Sequence, residues 1–260
     1  MSDWRPLGGQ LAGWTCGHGP RLVFVHGFTQ TASSWKPIAA QFAADGYETI
    51  VVDMPGHGAS ADLHVDLRRS ADMLTSLCGA AVYIGYSLGG RLCMHAALMY
   101  PHLVRGLALL AASPGIADER ERAARRTADH ELADHIVDVG IDCFLDERLA
   151  QPLFAGLTLD DDARADRMTN KPEGLASSLR HAGTGAQGSL WSHLYELRMP
   201  VLTIFGAQDH KFAAIGRQVS ASVCEGEAIE IPSAGHAAHL QEPQLVAKAL
   251  ADWLHKTVRY

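Results

Sequence analysis

In Gly85-Tyr86-Ser87-Leu88-Gly89-Gly90 one serine lies among small residues, between the apolar run Ala81–Gly85 and a helix-like stretch from Arg91. A strand that turns sharply into a helix needs small residues flanking the turn, and it lifts the serine hydroxyl above the sheet. The helix N-terminus then aims free backbone N–H groups at any developing negative charge. A serine hydroxyl is inert near neutral pH without an adjacent base, and that base needs an acid to orient it. Phe205-Gly206-Ala207-Gln208-Asp209 supplies the acid after a later apolar run, and Ser233-Ala234-Gly235-His236 supplies the base after the next. Taken singly, Asp209 reads as a turn carboxylate and His236 as a surface imidazole. Together and in this order they predict a catalytic triad of Ser87, Asp209 and His236.

The order Ser, Asp, His along the chain resembles that of the α/β-hydrolase fold. His26-Gly27-Phe28, after the apolar run Arg21–Val25, resembles that fold's H-G-x loop. The resemblance implies an oxyanion hole made by the backbone N–H groups of Phe28 and of Leu88, just after the serine. Asp53-Met54-Pro55-Gly56-His57-Gly58-Ala59-Ser60 is also familiar from the superfamily and reads as structural, with His57 bracing loops. The resemblance spans essentially the whole chain.

The elements that must position these residues follow from apolar patterning. Arg21–His26, Glu48–Asp53, Ala81–Gly85 and Gly106–Leu110 read as buried strands, separated by helical stretches such as 34–44 and 67–77. Continuous apolar strands alternating with helices predict a mostly parallel sheet covered on both faces. From about Ile116 to Trp191 strand runs give way to charged helical segments, Glu119–His135 and Asp160–Met168. Strands resume at Pro200–Gly206 and Ala228–Pro232, and Pro243–His255 reads as an amphipathic helix. The expectation is one α/β core over residues 1–115 and 192–260, with residues 116–191 inserted as a helical cap.

The chain has 260 residues and a formal net charge of −7 without a Lys/Arg tract. That argues against non-specific nucleic-acid or anionic-membrane binding. No apolar run approaches the roughly 18 residues that span a bilayer, and the first residues lack a signal-peptide layout. Five scattered cysteines without a C-x-x-C pair suit reduced thiols and a cytoplasmic location. The 14 histidines form no metal-binding motif, so neither a metal nor another cofactor is expected. A monomer or weak homo-oligomer is expected.

Residues outside the triad narrow the resemblance. The G-Y-S-L-G-G-R elbow (85–91), the R-x-x-R-x-x-x-D run from Arg122 to Asp129, and L-R-x-x-G-T-G-x-Q-x-x-L-W (179–191) resemble the 2-succinyl-6-hydroxy-2,4-cyclohexadiene-1-carboxylate (SHCHC) synthases of menaquinone (vitamin K2) biosynthesis, as does D-x-K-F from Asp209 to Phe212. The resemblance implies a lyase in which Ser87, polarised by His236 and Asp209, removes a ring proton and pyruvate is eliminated from an enolpyruvyl precursor. Such a small-molecule polycarboxylate explains the arginines, because guanidinium forks match carboxylates bidentately. Arg91, Arg125 and Arg167 match the family's substrate-contacting arginines; Arg180, Tyr86 and His26 are further substrate-site candidates. Arg120, Arg122 and Arg126 read as solvated, with acidic partners at helical spacing. One departure stands out: before Gln151-Pro152-Leu153-Phe154, Arg148 occupies a place where the family tends to carry tryptophan. The rivals are a carboxylesterase or C–C bond hydrolase using the same triad, and a non-catalytic binding protein on the same fold.

Overall fold

The computed structural model describes residues 3–257. Eight strands form one sheet: β1 (Arg5–Leu7), β2 (Gly13–Gly17), β3 (Arg21–Val25), β4 (Glu48–Val52), β5 (Ala81–Tyr86), β6 (Val104–Leu110), β7 (Val201–Gly206) and β8 (Gly226–Ile231). Their spatial order is β1-β2-β4-β3-β5-β6-β7-β8, parallel from β4 onward, with β1 and β2 antiparallel at one edge. Successive side chains of β3 enter opposite cores, as period-two geometry requires. Val23 and Val25 join one apolar layer, Leu22 and Phe24 the other.

The helices are α1 (Lys36–Ala44), α2 (Leu67–Cys78), α3 (Leu88–Met99), α4 (Glu119–Leu149), α5 (Asp161–Met168), α6 (Pro172–Ala182), α7 (His210–Ser222), α8 (Ala238–Gln241) and α9 (Pro243–Thr257). Leu74 of α2, Leu92 of α3 and Val219 of α7 pack in the first layer; Phe42 of α1 and Trp253 of α9 pack in the second. Asp66, the N-cap of α2, accepts a hydrogen bond from the Arg69 amide (2.8 Å), and this fixes where the helix starts. The helical stretch expected over 34–44 divides into a single 3-10 turn at Ala32–Trp35 followed by α1.

Between β6 and β7 the described chain is helical, and it carries its own apolar cluster of Ala133, Ile136, Phe144 and Leu145 from α4 with Leu175, Ala176 and Leu179 from α6. Helix α4 runs fourteen residues beyond the expected end at His135, with a break at Gly140 (φ 78°). That left-handed backbone is one glycine adopts without a Cβ penalty, so the chain bends there and continues. The extension carries Arg148 in its last turn.

The chain visits β3, then β4 on one side, then returns to β5 on the other, so the order reverses between β3 and β5. Open parallel sheets bind ligands outside the carboxyl ends of the strands at such a reversal. The register pairs Val25 with Gly85, Tyr86 with Leu110, and Gly206 with Ile231. The loops after β3, β5, β7 and β8 therefore leave the sheet from one edge.

Candidate active site

Ser87 stands between β5 and α3 with φ 51° and ψ −109°, a conformation that L-residues rarely adopt. Its surroundings enforce it. A Cβ on Gly89 would lie 2.3 Å from the Val25 carbonyl oxygen, and one on Gly85 would lie 2.5 Å from that of Gly89. Only glycine lets the elbow approach β3 this closely, which is the physical content of the G-x-S-x-G spacing. The Ser87 amide donates to the Leu110 carbonyl (2.8 Å), tying the turn to β6.

Asp209 is the N-cap of α7; its Oδ1 accepts from the Phe212 amide at 3.2 Å. Its Oδ2 accepts from His236 Nδ1 at 2.7 Å. The opposite ring nitrogen, Nε2, lies 3.3 Å from Ser87 Oγ and accepts from that hydroxyl. Both side chains of the Asp–His pair are buried. The three residues singled out in the sequence thus form one continuous hydrogen-bonded chain, with His236 held in the tautomer that leaves Nε2 free to take a proton.

Phe28 and Thr29 are the central residues of a turn closed by the Gln30 amide donating to the Gly27 carbonyl (3.2 Å). Thr29 has φ 71°, costly for a β-branched residue, and its polar groups are all engaged. Its amide donates to His57 Nε2 (3.4 Å), its hydroxyl accepts from Arg167 (2.6 Å), and its carbonyl accepts from Asn170 (2.9 Å). His26 donates from Nδ1 to the Gly27 carbonyl (2.8 Å) and accepts at Nε2 from the Met54 amide (3.0 Å). Burial pulls His26 down to about 4 and, with His26 itself, His57 to about 3, so both rings are neutral braces. Leu88, the first residue of α3, presents an amide that lacks an intrahelical acceptor.

A cavity of about 550 Å³ opens over Ser87, lined by Phe28, Leu88 and residues of α4, α6 and α7. Arg91, one helical turn past the serine, is buried there and donates to Gln187 Oε1 at 3.0 Å. Arg125 lines the same cavity; its Nε donates to buried Asp129 (2.7 Å), whose second oxygen accepts from the Gly185 amide (3.0 Å). Arg148 and Lys211 also line it, as do Asp118 and Glu121.

The other expected site residues lie elsewhere. Arg167 is buried against the Phe28–Thr29 turn and does not line the cavity. Tyr86 is buried beneath, with its ring 5.4 Å from that of His236 and 4.2 Å from that of His239. His26 is walled off under the same turn. For Arg180 the expectation of a substrate contact is corrected: its side chain pairs with Asp134 of α4. The helical period explains this, since Ser178, Leu179 and Ala182 are the residues of α6 that face the cavity. In the sequence Gln187 and Lys211 stand only as parts of motifs, because whether such a side chain enters the cavity depends on how segments far apart in sequence pack together.

Residues 22–249 match the model of the alpha/beta hydrolase family. The chain belongs to that family. Among named relatives, the SHCHC synthase of Salmonella paratyphi C is 34% identical over 245 residues, covering 90% of this chain and 94% of the relative. A Bacillus subtilis relative, provisionally given the same name, is 34% identical over 247 residues, covering 90% of this chain and 89% of its own. The solved structure of MenH from S. aureus superposes with a TM-score of 0.87 at 27% identity, covering 94% of this chain and 98% of that one. A thermophilic esterase from Thermogutta terrifontis superposes at 0.83 with 21% identity, over 99% of this chain and 100% of that one, and shares the fold alone. The chain is thus an SHCHC synthase-like enzyme of the α/β-hydrolase fold. No helix among the described residues is long and apolar enough to cross a membrane.

Proposed function

We propose that the chain is a carbon–oxygen lyase that eliminates pyruvate from an enolpyruvyl-bearing cyclohexene carboxylate to give SHCHC, in menaquinone biosynthesis. One observation carries the reading beyond a simple esterase. Two guanidinium groups without a carboxylate partner among the described residues, that of buried Arg91 and that of half-buried Arg148, line the cavity of Ser87. An ester of a small alcohol has nothing to neutralise them, whereas a polycarboxylate does. Residues 116–191 act in this reading as a cap that encloses the substrate.

The chemistry follows from the ring. A hydrogen on the carbon bearing a succinyl ketone is acidic, because the electron pair left behind spreads onto the ketone oxygen. Ser87 Oγ takes that proton as it passes its own to His236 Nε2, and Asp209 stabilises the imidazolium. The Phe28 and Leu88 amides hold the ketone oxygen as it gains charge. The pair then moves into the ring, the ring–oxygen bond to the enolpyruvyl group breaks, and the enolate leaves to be protonated to pyruvate. No acyl-enzyme forms and no water is consumed. Arg91 and Arg125 take substrate carboxylates; Arg167, His26 and Tyr86 hold the turn and the floor on which the reacting groups stand. The compartment is read as the cytoplasm and the protein as a monomer or weak homo-oligomer.

Purified protein is to be assayed for pyruvate release from the enolpyruvyl precursor in a coupled assay, beside p-nitrophenyl acetate. Pyruvate release without an ester burst is expected. Ester turnover with a burst and no pyruvate would replace the lyase with a hydrolase of a small carboxylated substrate. Ligand affinity without turnover of either would make the chain a binding protein.

A further inference from the structure

Arg148 is the residue whose surroundings ask most plainly for something the protein does not itself supply. It sits in the last turn of α4, with its guanidinium carbon 4.9 Å from the ring centroid of Phe28 and 5.0 Å from that of Phe154. Its Nε is buried and has no hydrogen-bond partner. Among the described residues no carboxylate reaches it at ion-pair distance, although the cap is rich in them: Arg125 has Asp129, Arg164 has Asp142 and Asp146, and Arg180 has Asp134. Both rings lie within cation–π distance of its guanidinium carbon, and the residue lines the cavity.

The rings also relate Arg148 to the serine and histidine. Phe28 is the residue of the turn beside Ser87, and the ring of Phe154 lies edge-on to that of His236 at 6.0 Å. Arg148 therefore shares the cavity of Ser87 and is linked through Phe154 to His236, whereas Arg91 is reached one turn along α3 and is already bonded to Gln187. A half-buried cation whose Nε is buried without a partner and that has no counter-ion among the described residues is unfavourable in the free protein and becomes favourable once an anion meets it.

We propose that Arg148 is a specificity-determining residue that binds a substrate carboxylate bidentately close to the reacting carbon, so that the cavity selects polycarboxylates through Arg91 and Arg148 on two sides. This rests on the lyase reading for the identity of the substrate, but not for the presence of an anion subsite.

The test is binding, independent of turnover. Pyruvate and 2-succinylbenzoate, a stable aromatic dicarboxylate shaped like the proposed product, are titrated calorimetrically into the wild type and into Arg148→Met and Arg148→Gln. Each probe that Arg148 holds should lose about tenfold or more in affinity in both variants. Melting temperature is read in parallel. Removing an unpaired, half-buried cation should leave the free variants as stable as the wild type or more so, whereas loss of an arginine kept only for packing would lower the melting temperature. Wild-type affinity for both probes in either folded variant would overturn the proposal, as would failure of the wild type to bind either. Absence of pyruvate release in the lyase assay, with the affinity losses intact, would remove the lyase and leave the subsite.

Discussion

Replacing Asp209 by asparagine changes one atom and tests the whole proton relay. In the wild type both oxygens accept, Oδ2 from His236 Nδ1 and Oδ1 from the Phe212 amide. An asparagine has one acceptor for these two donors. With its NH₂ toward His236, Nδ1 must become the acceptor, the ring proton moves to Nε2, and Nε2 can no longer receive a proton from Ser87, 3.3 Å away. With the amide flipped, the NH₂ faces the Phe212 N–H, and the cap of α7 is lost at about 1 kcal/mol plus the repulsion between donors. In either orientation the imidazolium loses its buried counter-charge. The expected fall in kcat is about 10³- to 10⁴-fold, about 4–5 kcal/mol of barrier, with KM within a few-fold because Arg91, Arg125 and Arg148 are untouched. Lost capping should lower the melting temperature by about 2–4 °C. The assay is pyruvate release under saturating and limiting substrate. A kcat within tenfold of wild type, in a protein shown to be folded, would refute the claim that Asp209 sets the tautomer of the base.

Arg91→Ala should cost about 2–5 kcal/mol in kcat/KM, chiefly through KM, and unchanged kinetics would remove the main reason for a polyanionic substrate. Gly89→Ala places a Cβ against the Val25 and His26 carbonyl oxygens at 2.3 and 2.5 Å, backbone atoms that cannot step aside; urea unfolding should show destabilisation of about 3 kcal/mol or more together with lost activity. Acid should destabilise the fold through His26 and His57. Burial lowers them from 6.5 to about 4 and about 3, so the unfolded chain binds protons that the native state refuses. Their contribution is complete above about pH 6.5 and disappears as pH falls toward 4 and below. At about 1.4 kcal/mol per unit it amounts to about 3 kcal/mol for His26 alone, and urea midpoints flat between pH 7 and 4 would contradict the neutral assignment.

Much of the site was legible in sequence because its chemistry is written in short contiguous motifs. A strand-to-helix elbow must carry glycine around its serine, and a residue opening a helix after a strand sits at the sheet's carboxyl edge wherever that strand lies. Ser87, Leu88, Asp209 and His236 are fixed by such local rules, as is Arg91, one turn from the serine. The antiparallel edge strands β1 and β2 were not legible. Gly13-Trp14-Thr15-Cys16-Gly17 is short and bounded by glycine, and it is a strand because β4 offers it an edge to pair with. The arginines divide in the same way. Arg120 to Arg126, Arg167 and Arg180 look alike in a helical pattern, yet Arg125 lines the cavity, Arg167 buttresses the Phe28–Thr29 turn and Arg180 meets Asp134. A single residue's shift along a helix turns a side chain by about 100°, so small differences in how α4, α5 and α6 pack decide each outcome.

By itself, then, the sequence determined the α/β-hydrolase fold and singled out Ser87, Asp209 and His236, which the structure brings into one hydrogen-bonded chain, since strand periodicity, glycine sterics and the need of serine for a base act over a few residues. The tertiary structure alone decided which cations face the cavity and which are spent on neighbours. It placed Arg148 within reach of two rings and without a counter-ion among the described residues, and gave Arg91 its neutral partner Gln187, 96 positions away along the chain. Charge pairing is set by distances of a few ångströms between segments far apart in sequence, and no local pattern encodes those distances.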